Sequence, residues 1–192
     1  MVNQYLIQTT LGITNFAVNK LCRDKLGKKY VMKQMNKKKL CMKRISNGTF
    51  AYGSVLNELA QQQKLEHPNV NKIREVIDGD ERLYIVSDWF AKGSLKDLLQ
   101  KQNLEKDQKV GLPLPKVKHY LREMLRALDY CHSMGVFHLD FKPENIMINQ
   151  NDEAVLANFG FSSLMLQGEE IINTNMASLV FFAPEIFPSE KN

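Results

Sequence analysis

The sequence predicts an α+β fold in two lobes, strand-rich over residues 1–90 and mainly helical over residues 91–192. Three observations point there. Short β-branched and aromatic runs bounded by turn residues crowd the first lobe. The apolar period becomes helical from Ser94 onward. The composition, 44% hydrophobic and 24% charged over 192 residues, is that of a globular chain with a packed core. It excludes the disordered, collagen-like and disulfide-stapled classes.

Taken in order, residues 5–11, 18–23, 30–35, 72–77 and 83–89 read as strands. Gly27 separates the second from the third. Asp78-Gly79 separates the fourth from the fifth, where a tight hairpin calls for positive φ. A helix over residues 50–65 interrupts them, with Val55, Leu56, Leu59 and Leu65 roughly on one face after the breaker Asn47-Gly48-Thr49. Ser94 is a candidate N-cap for a helix over residues 95–102, and residues 101–109 read as a polar connector. Beyond Pro113 and Pro115, the spacing of Val117, Tyr120, Leu121, Met124, Leu125, Leu128 and Cys131 predicts a strong amphipathic helix. Strand-like pieces return at residues 136–137, 146–148 and 154–156.

The net charge of +5 is a mild excess. The basic run over residues 33–44, with Lys37, Lys38 and Lys39, reads as a solvated face, and no aromatic-basic signature accompanies it. No nucleic-acid partner is expected. Cys22, Cys41 and Cys131 lie far apart with no CxxC, as free thiols in a reducing compartment do. The first eleven residues lack a basic leader, and no run approaches the roughly 18 apolar residues of a membrane span. A cytoplasmic protein without membrane contact is the expectation.

The sharpest signal is His138-Leu139-Asp140-Phe141-Lys142-Pro143-Glu144-Asn145, followed by Asn158-Phe159-Gly160 and then Ala183-Pro184-Glu185. This stretch resembles the catalytic loop, DFG element and APE element of eukaryotic protein kinases. Upstream residues keep the family's order. Lys33 follows Tyr30-Val31-Met32, Glu58 lies nine residues before His67-Pro68-Asn69-Val70, and residues 83–89 look like a fifth strand entering a hinge. The resemblance implies a kinase-like bilobal fold: a five-stranded first lobe with its αC helix, and a partial, mainly helical second lobe ending just after the APE element. The Lys142-Pro143-Glu144-Asn145 form and Ser178 resemble the Ser/Thr-directed branch. Lys20-Leu21 and Asn36-Lys37-Lys38-Lys39-Leu40 are similar to its calcium/calmodulin-dependent and AMP-activated group.

The resemblance also assigns roles. Phosphoryl transfer needs the triphosphate held, its charge neutralised and the acceptor hydroxyl in line. Lys33 would hold the α- and β-phosphates of ATP, steadied by Glu58. Asp140 would orient the substrate hydroxyl, Lys142 would stabilise the moving phosphoryl group, and Asn145 and Asn158 would face Mg²⁺. The nucleotide would lie against Leu11, Gly12, Asn19, Val31, Ser87 and Met147, with the backbone of Asp88 to Phe90 bonding adenine. His138, Phe159, Ile73 and Gln62 match the family's stacked spine. Taken singly, each residue has a plainer reading: Lys33 a solvated strand lysine, Glu58 a helix-surface carboxylate, Asp140 a turn residue.

Three departures shape the expected function. Asn158 stands where the family has the chelating Asp, so a full negative charge and bidentate capacity are lost. Thr14 and Ala17 replace glycines of the phosphate-covering loop, Asn19 replaces a valine over adenine, and Val31 replaces a smaller alanine. Leu139 replaces the arginine that pairs with a phosphorylated activation segment, leaving Ser162, Ser163 and Thr174 without that partner. The expectation is a Ser/Thr-type kinase domain impaired in catalysis and in its hold on ATP and Mg²⁺, or a pseudokinase serving as scaffold or allosteric partner of an active kinase. A protein substrate or a partner kinase follows, with a further partner expected to cover the apolar end at residues 179–187.

Overall fold

A computed structural model describes residues 1–13, 17–44, 50–106, 111–159 and 181. Its larger sheet has five antiparallel strands in the order β1-β2-β3-β5-β4. They are β1 (Leu6–Ile13), β2 (Ala17–Arg23), β3 (Lys29–Asn36), β4 (Ile73–Asp78) and β5 (Arg82–Asp88). Because cross-strand partners share a face, the registers Asn19↔Lys33↔Ile85 and Leu21↔Val31↔Ser87 put these residues on one side of the sheet. Toward one end of that side, Ala17, Met35, Leu83 and Ile85 are buried with Ala51, Val55 and Leu59 of helix α2 (Ala51–Gln62). The opposite face buries Cys22, Met32 and Val86 beneath Tyr5, whose ring meets Tyr30 edge-on at 5.5 Å between centroids.

The second apolar cluster forms around helix α4 (Leu114–Ser133) and the small sheet of β6 (Ile146–Ile148) and β7 (Ala154–Leu156). Tyr120, Met124, Ala127 and Cys131 of α4 are buried with Ile146, Ile148, Ala154 and Leu156. Helix α3 (Leu95–Lys106) adds Leu95 and Leu98. Ser94 caps it as expected: its Oγ accepts from the Asp97 N–H at 3.2 Å, and its own N–H donates to Asp97 Oδ2 at 2.8 Å. A Cβ on Gly93, at φ +76°, would come within 2.7 Å of that carboxylate, so only glycine fits. α4 begins with Pro115 in its first turn and ends at Gly135, which has φ +71°.

Four local expectations need correction. The basic run contains a short helix α1 (Lys37–Met42), because Asn36 Oδ1 caps the Lys39 N–H at 2.9 Å and Leu40 is buried. The polar segment from residue 101 continues α3 through Lys106, in keeping with its good helix formers. Residues 136–137 form no strand: the Val136 N–H bonds back to Cys131 O at 2.9 Å, closing the end of α4. Gly79 does not adopt positive φ; a Cβ there would lie 3.1 Å from Arg82 O and 3.3 Å from the Tyr84 ring, so crowding limits the position.

Candidate active site

The β6–β7 hairpin and the loop before it assemble the site. Residues Pro143–Asn145 form a single 3₁₀ turn that brings Asn145 back under Asp140. The Asn145 Nδ2 donates to Asp140 O and to Asp140 Oδ2, each at 2.7 Å. Lys142 Nζ lies 2.7 Å from Asp140 Oδ1, with both side chains largely buried. Both carboxylate oxygens of Asp140 are therefore engaged. From the far end of β7, Asn158 Nδ2 donates to Asn145 Oδ1 at 3.3 Å. The backbone joins the same two segments, with the Ala157 N–H donating to Asn145 O at 2.9 Å.

His138 lies under this cluster, 2% exposed. Its Nε2 is 2.9 Å from Ala157 O, its Nδ1 accepts from the Asp140 N–H at 3.2 Å, and its ring lies 4.7 Å from that of Phe159. Burial pushes its pKa below 6.5; the bond to Ala157 and the Asp140 charge oppose that, while Lys142 and Lys33 reinforce it. Lys33, on β3, has its amine pKa lowered by burial and drawn back up by the Asp140 carboxylate. The charges of Lys33, Asp140 and Lys142 thus converge on one corner.

The other residues named from the sequence lie on or just after the five-stranded sheet, on α2 and on β6. Asn19, Val31 and Ser87 are half-buried on the sheet face that carries Lys33. Gly12 pairs with Asn19, and a Cβ at Gly12 would meet nothing within 4 Å. Leu11 is exposed beside it. Glu58 is half-buried on α2, next to Leu59. Met147 is half-buried in β6 and bridges to Ser94, while Phe90 is half-buried just after β5. Asp88 does more than lend its backbone: Arg74 donates to both of its carboxylate oxygens, from Nε at 2.9 Å to one of them, and ties the end of β5 to β4. Residues 14–16, Gly160, Ser162, Ser163, Thr174, Ser178 and the APE element lie outside the described residues.

Two anchoring residues escaped the sequence reading. Glu123 is buried on α4 and its Oε2 accepts the Ala154 N–H at 2.8 Å; Asn69 Nδ2 donates to Ala154 O at 2.8 Å. Together they pin the first residue of β7 and hence the strand that delivers Asn158. The available signal was a carboxylate inside the apolar stripe of α4, between Tyr120 and Ala127.

The donor set does not fit a divalent cation. Asn145 and Asn158 bring neutral amides with no charge to offset the cost of stripping water from the ion, and the Asn145 oxygen already accepts one hydrogen bond, from Asn158. Among the described residues no cluster of three or more His, Cys, Asp and Glu could hold a metal ion.

The protein kinase domain profile matches residues 5–192. The chain belongs to the protein kinase family. Its relatives are Ser/Thr kinases. This kinase chain is 33% identical over 184 residues to an SNF-related serine/threonine-protein kinase of Rattus norvegicus, covering 95% of the chain and 23% of the relative. The corresponding protein of Homo sapiens is also 33% identical, with 22% of its length covered. CBL-interacting protein kinase 32 of Oryza sativa is 26% identical over 192 residues, with 98% of this chain and 41% of the relative covered. The chain therefore spans less than half the length of these relatives. Among the described residues, no helix is long and apolar enough to cross a membrane.

Proposed function

We propose that this chain is an ATP-binding kinase domain of the Ser/Thr-directed type whose phosphoryl transfer is strongly impaired. Residues 1–90 would form the nucleotide-binding lobe and residues 91–192 part of the second. ATP would lie against Asn19, Val31 and Ser87, its phosphates toward Lys33 and Lys142. In transfer, the γ-phosphorus would bond to a Ser or Thr hydroxyl oxygen, the hydroxyl proton would pass toward Asp140, and ADP would leave. The 2.7 Å contact of Lys142 with Asp140 supports the reading that positioning survives. Neutralisation of the charge that develops on the phosphates does not, because the two amides supply none. That loss is worth several kcal/mol, on the order of a thousandfold in rate.

The observation that carries this reading is the Asn158–Asn145 amide contact at the centre of an otherwise kinase-like corner. The test is transfer of labelled γ-phosphate to a generic Ser/Thr substrate with magnesium present. The wild-type chain is expected to show little transfer, and Asn158→Asp to raise it modestly. Robust wild-type turnover abolished by Asp140→Ala would overturn the impairment. The pseudokinase reading draws on the same contact: a chain that holds nucleotide without turning it over would act as scaffold or allosteric partner of an active kinase, in the cytoplasm.

A further inference from the structure

We infer that the cleft takes its nucleotide as the free polyphosphate anion, so that binding does not depend on a divalent cation. The inference rests on the reading of the cleft as an ATP site and states which form of ATP it accepts. It starts from amide orientation. Both hydrogens of Asn145 Nδ2 are directed at Asp140, one acceptor being its backbone carbonyl and the other its carboxylate. Turning this amide over would set an oxygen against two oxygens, so the partners fix which way it points. Its single oxygen must then face Asn158, and Asn158 must answer with its NH₂ group, as it does at 3.3 Å. Flipping Asn158 alone would again bring two oxygens together.

The consequence is a corner whose exposed element, the Asn158 side chain, is a neutral amide held by its own neighbour. Magnesium sheds water reluctantly and is normally held through one or two carboxylates. Here the carboxylate bonded to Asn145, Asp140, already accepts from Lys142 on one oxygen and from Asn145 on the other. A cation entering would face the ammonium group of Lys142, 2.7 Å from Asp140, and that of Lys33, which interacts with the same carboxylate. A polyphosphate meets the reverse situation: two ammonium groups against the single Asp140 carboxylate leave a net positive charge, and an amide N–H is there as a donor. The corner suits the anion without its metal better than the anion with it.

Calorimetric titration of the full chain with ATP, once with EDTA and once with excess magnesium chloride, tests this. The two dissociation constants are expected to agree within about threefold, while Asn158→Asp is expected to bind at least about tenfold tighter with magnesium than with EDTA. Wild-type binding that requires magnesium would overturn the inference and leave the ATP-site reading standing. Absence of binding in both buffers would overturn both. An Asn158→Asp chain as indifferent to magnesium as the wild type would remove residue 158 from the argument and overturn the inference. So would EDTA-phase binding that survives Lys33→Met, since the anion would then sit elsewhere on a chain of net charge +5.

Discussion

Two residues flanking the chemistry adopt left-handed backbone conformations: Leu139 at φ +61° and Asn158 at φ +57°. Asn tolerates that region because its short polar side chain bonds locally, whereas Leu has no such compensation and strains its Cβ against the backbone. Leu139 is also 45% exposed, so little packing offsets the strain. Leu139→Asn is therefore expected to stabilise the fold by about 0.5–1 kcal/mol, read as a higher urea midpoint at unchanged m-value. His138 sets a second expectation at this scale. Its folded pKa lies below 6.5, so as pH falls through the window beneath 6.5 the unfolded chain binds a proton that the folded chain resists. The unfolded state then holds more protons, and stability declines with acidification. Burial lowers His67 as well, adding to the same slope. Urea midpoints should drop between about pH 7.5 and about pH 5.5, and His67→Gln should remove only part of the drop.

Among the elements, the β6–β7 hairpin matters most, since it carries Asn145 at one end and leads to Asn158 at the other. Strands this short cannot hold themselves, and three neighbours hold them: Gly93 O accepts the Ile148 N–H, Asn69 O accepts the Leu156 N–H, and Glu123 accepts the Ala154 N–H. Glu123→Ala leaves a buried N–H without its acceptor and should cost about 1–3 kcal/mol in thermal or urea unfolding. The existence of both strands was legible from their apolar runs, and α4 from its period. The share of the α4 stripe that is buried was not. Tyr120, Met124 and Cys131 are covered, whereas Val117, Leu121 and Leu125 remain exposed. Periodicity identifies a face, and only neighbouring elements decide how wide a strip of it they cover. Leu121→Gln and Leu125→Gln should accordingly change the stability of this chain by no more than about 0.5 kcal/mol.

At the scale of the molecule, the buried apolar side chains among the described residues sort into three clusters: one on each face of the five-stranded sheet and one around α4. The thiols report on that sorting. Cys22 and Cys131 are buried and have pKa values pushed up to about 11, while Cys41 is exposed on α1. A thiol reagent at neutral pH should modify Cys41 quickly and reach Cys22 and Cys131 only as the chain unfolds, since the thiolate is the reactive form. Rapid modification of all the cysteines in the native chain would contradict the packing described for β2 and α4. Chain-wide order was the most legible property, because the spacing of Lys33, Glu58, Asp140, Asn145 and Asn158 was enough to suggest the family before any contact was known.

Side-chain chemistry is carried in the residue names, so the missing charge at residue 158 was plain from the sequence by itself. The strands were legible too, since alternation and turn residues are local, except that residues 136–137 close the end of α4 instead of forming one. Tertiary structure alone decided how the amides face. The 3₁₀ turn spends both Asn145 hydrogens on Asp140, and the end of β7 places Asn158 against the oxygen that remains. A hydrogen bond needs two groups at a set distance and angle, and residues thirteen apart meet that condition only when α4, Asn69 and Gly93 hold the hairpin between them in place.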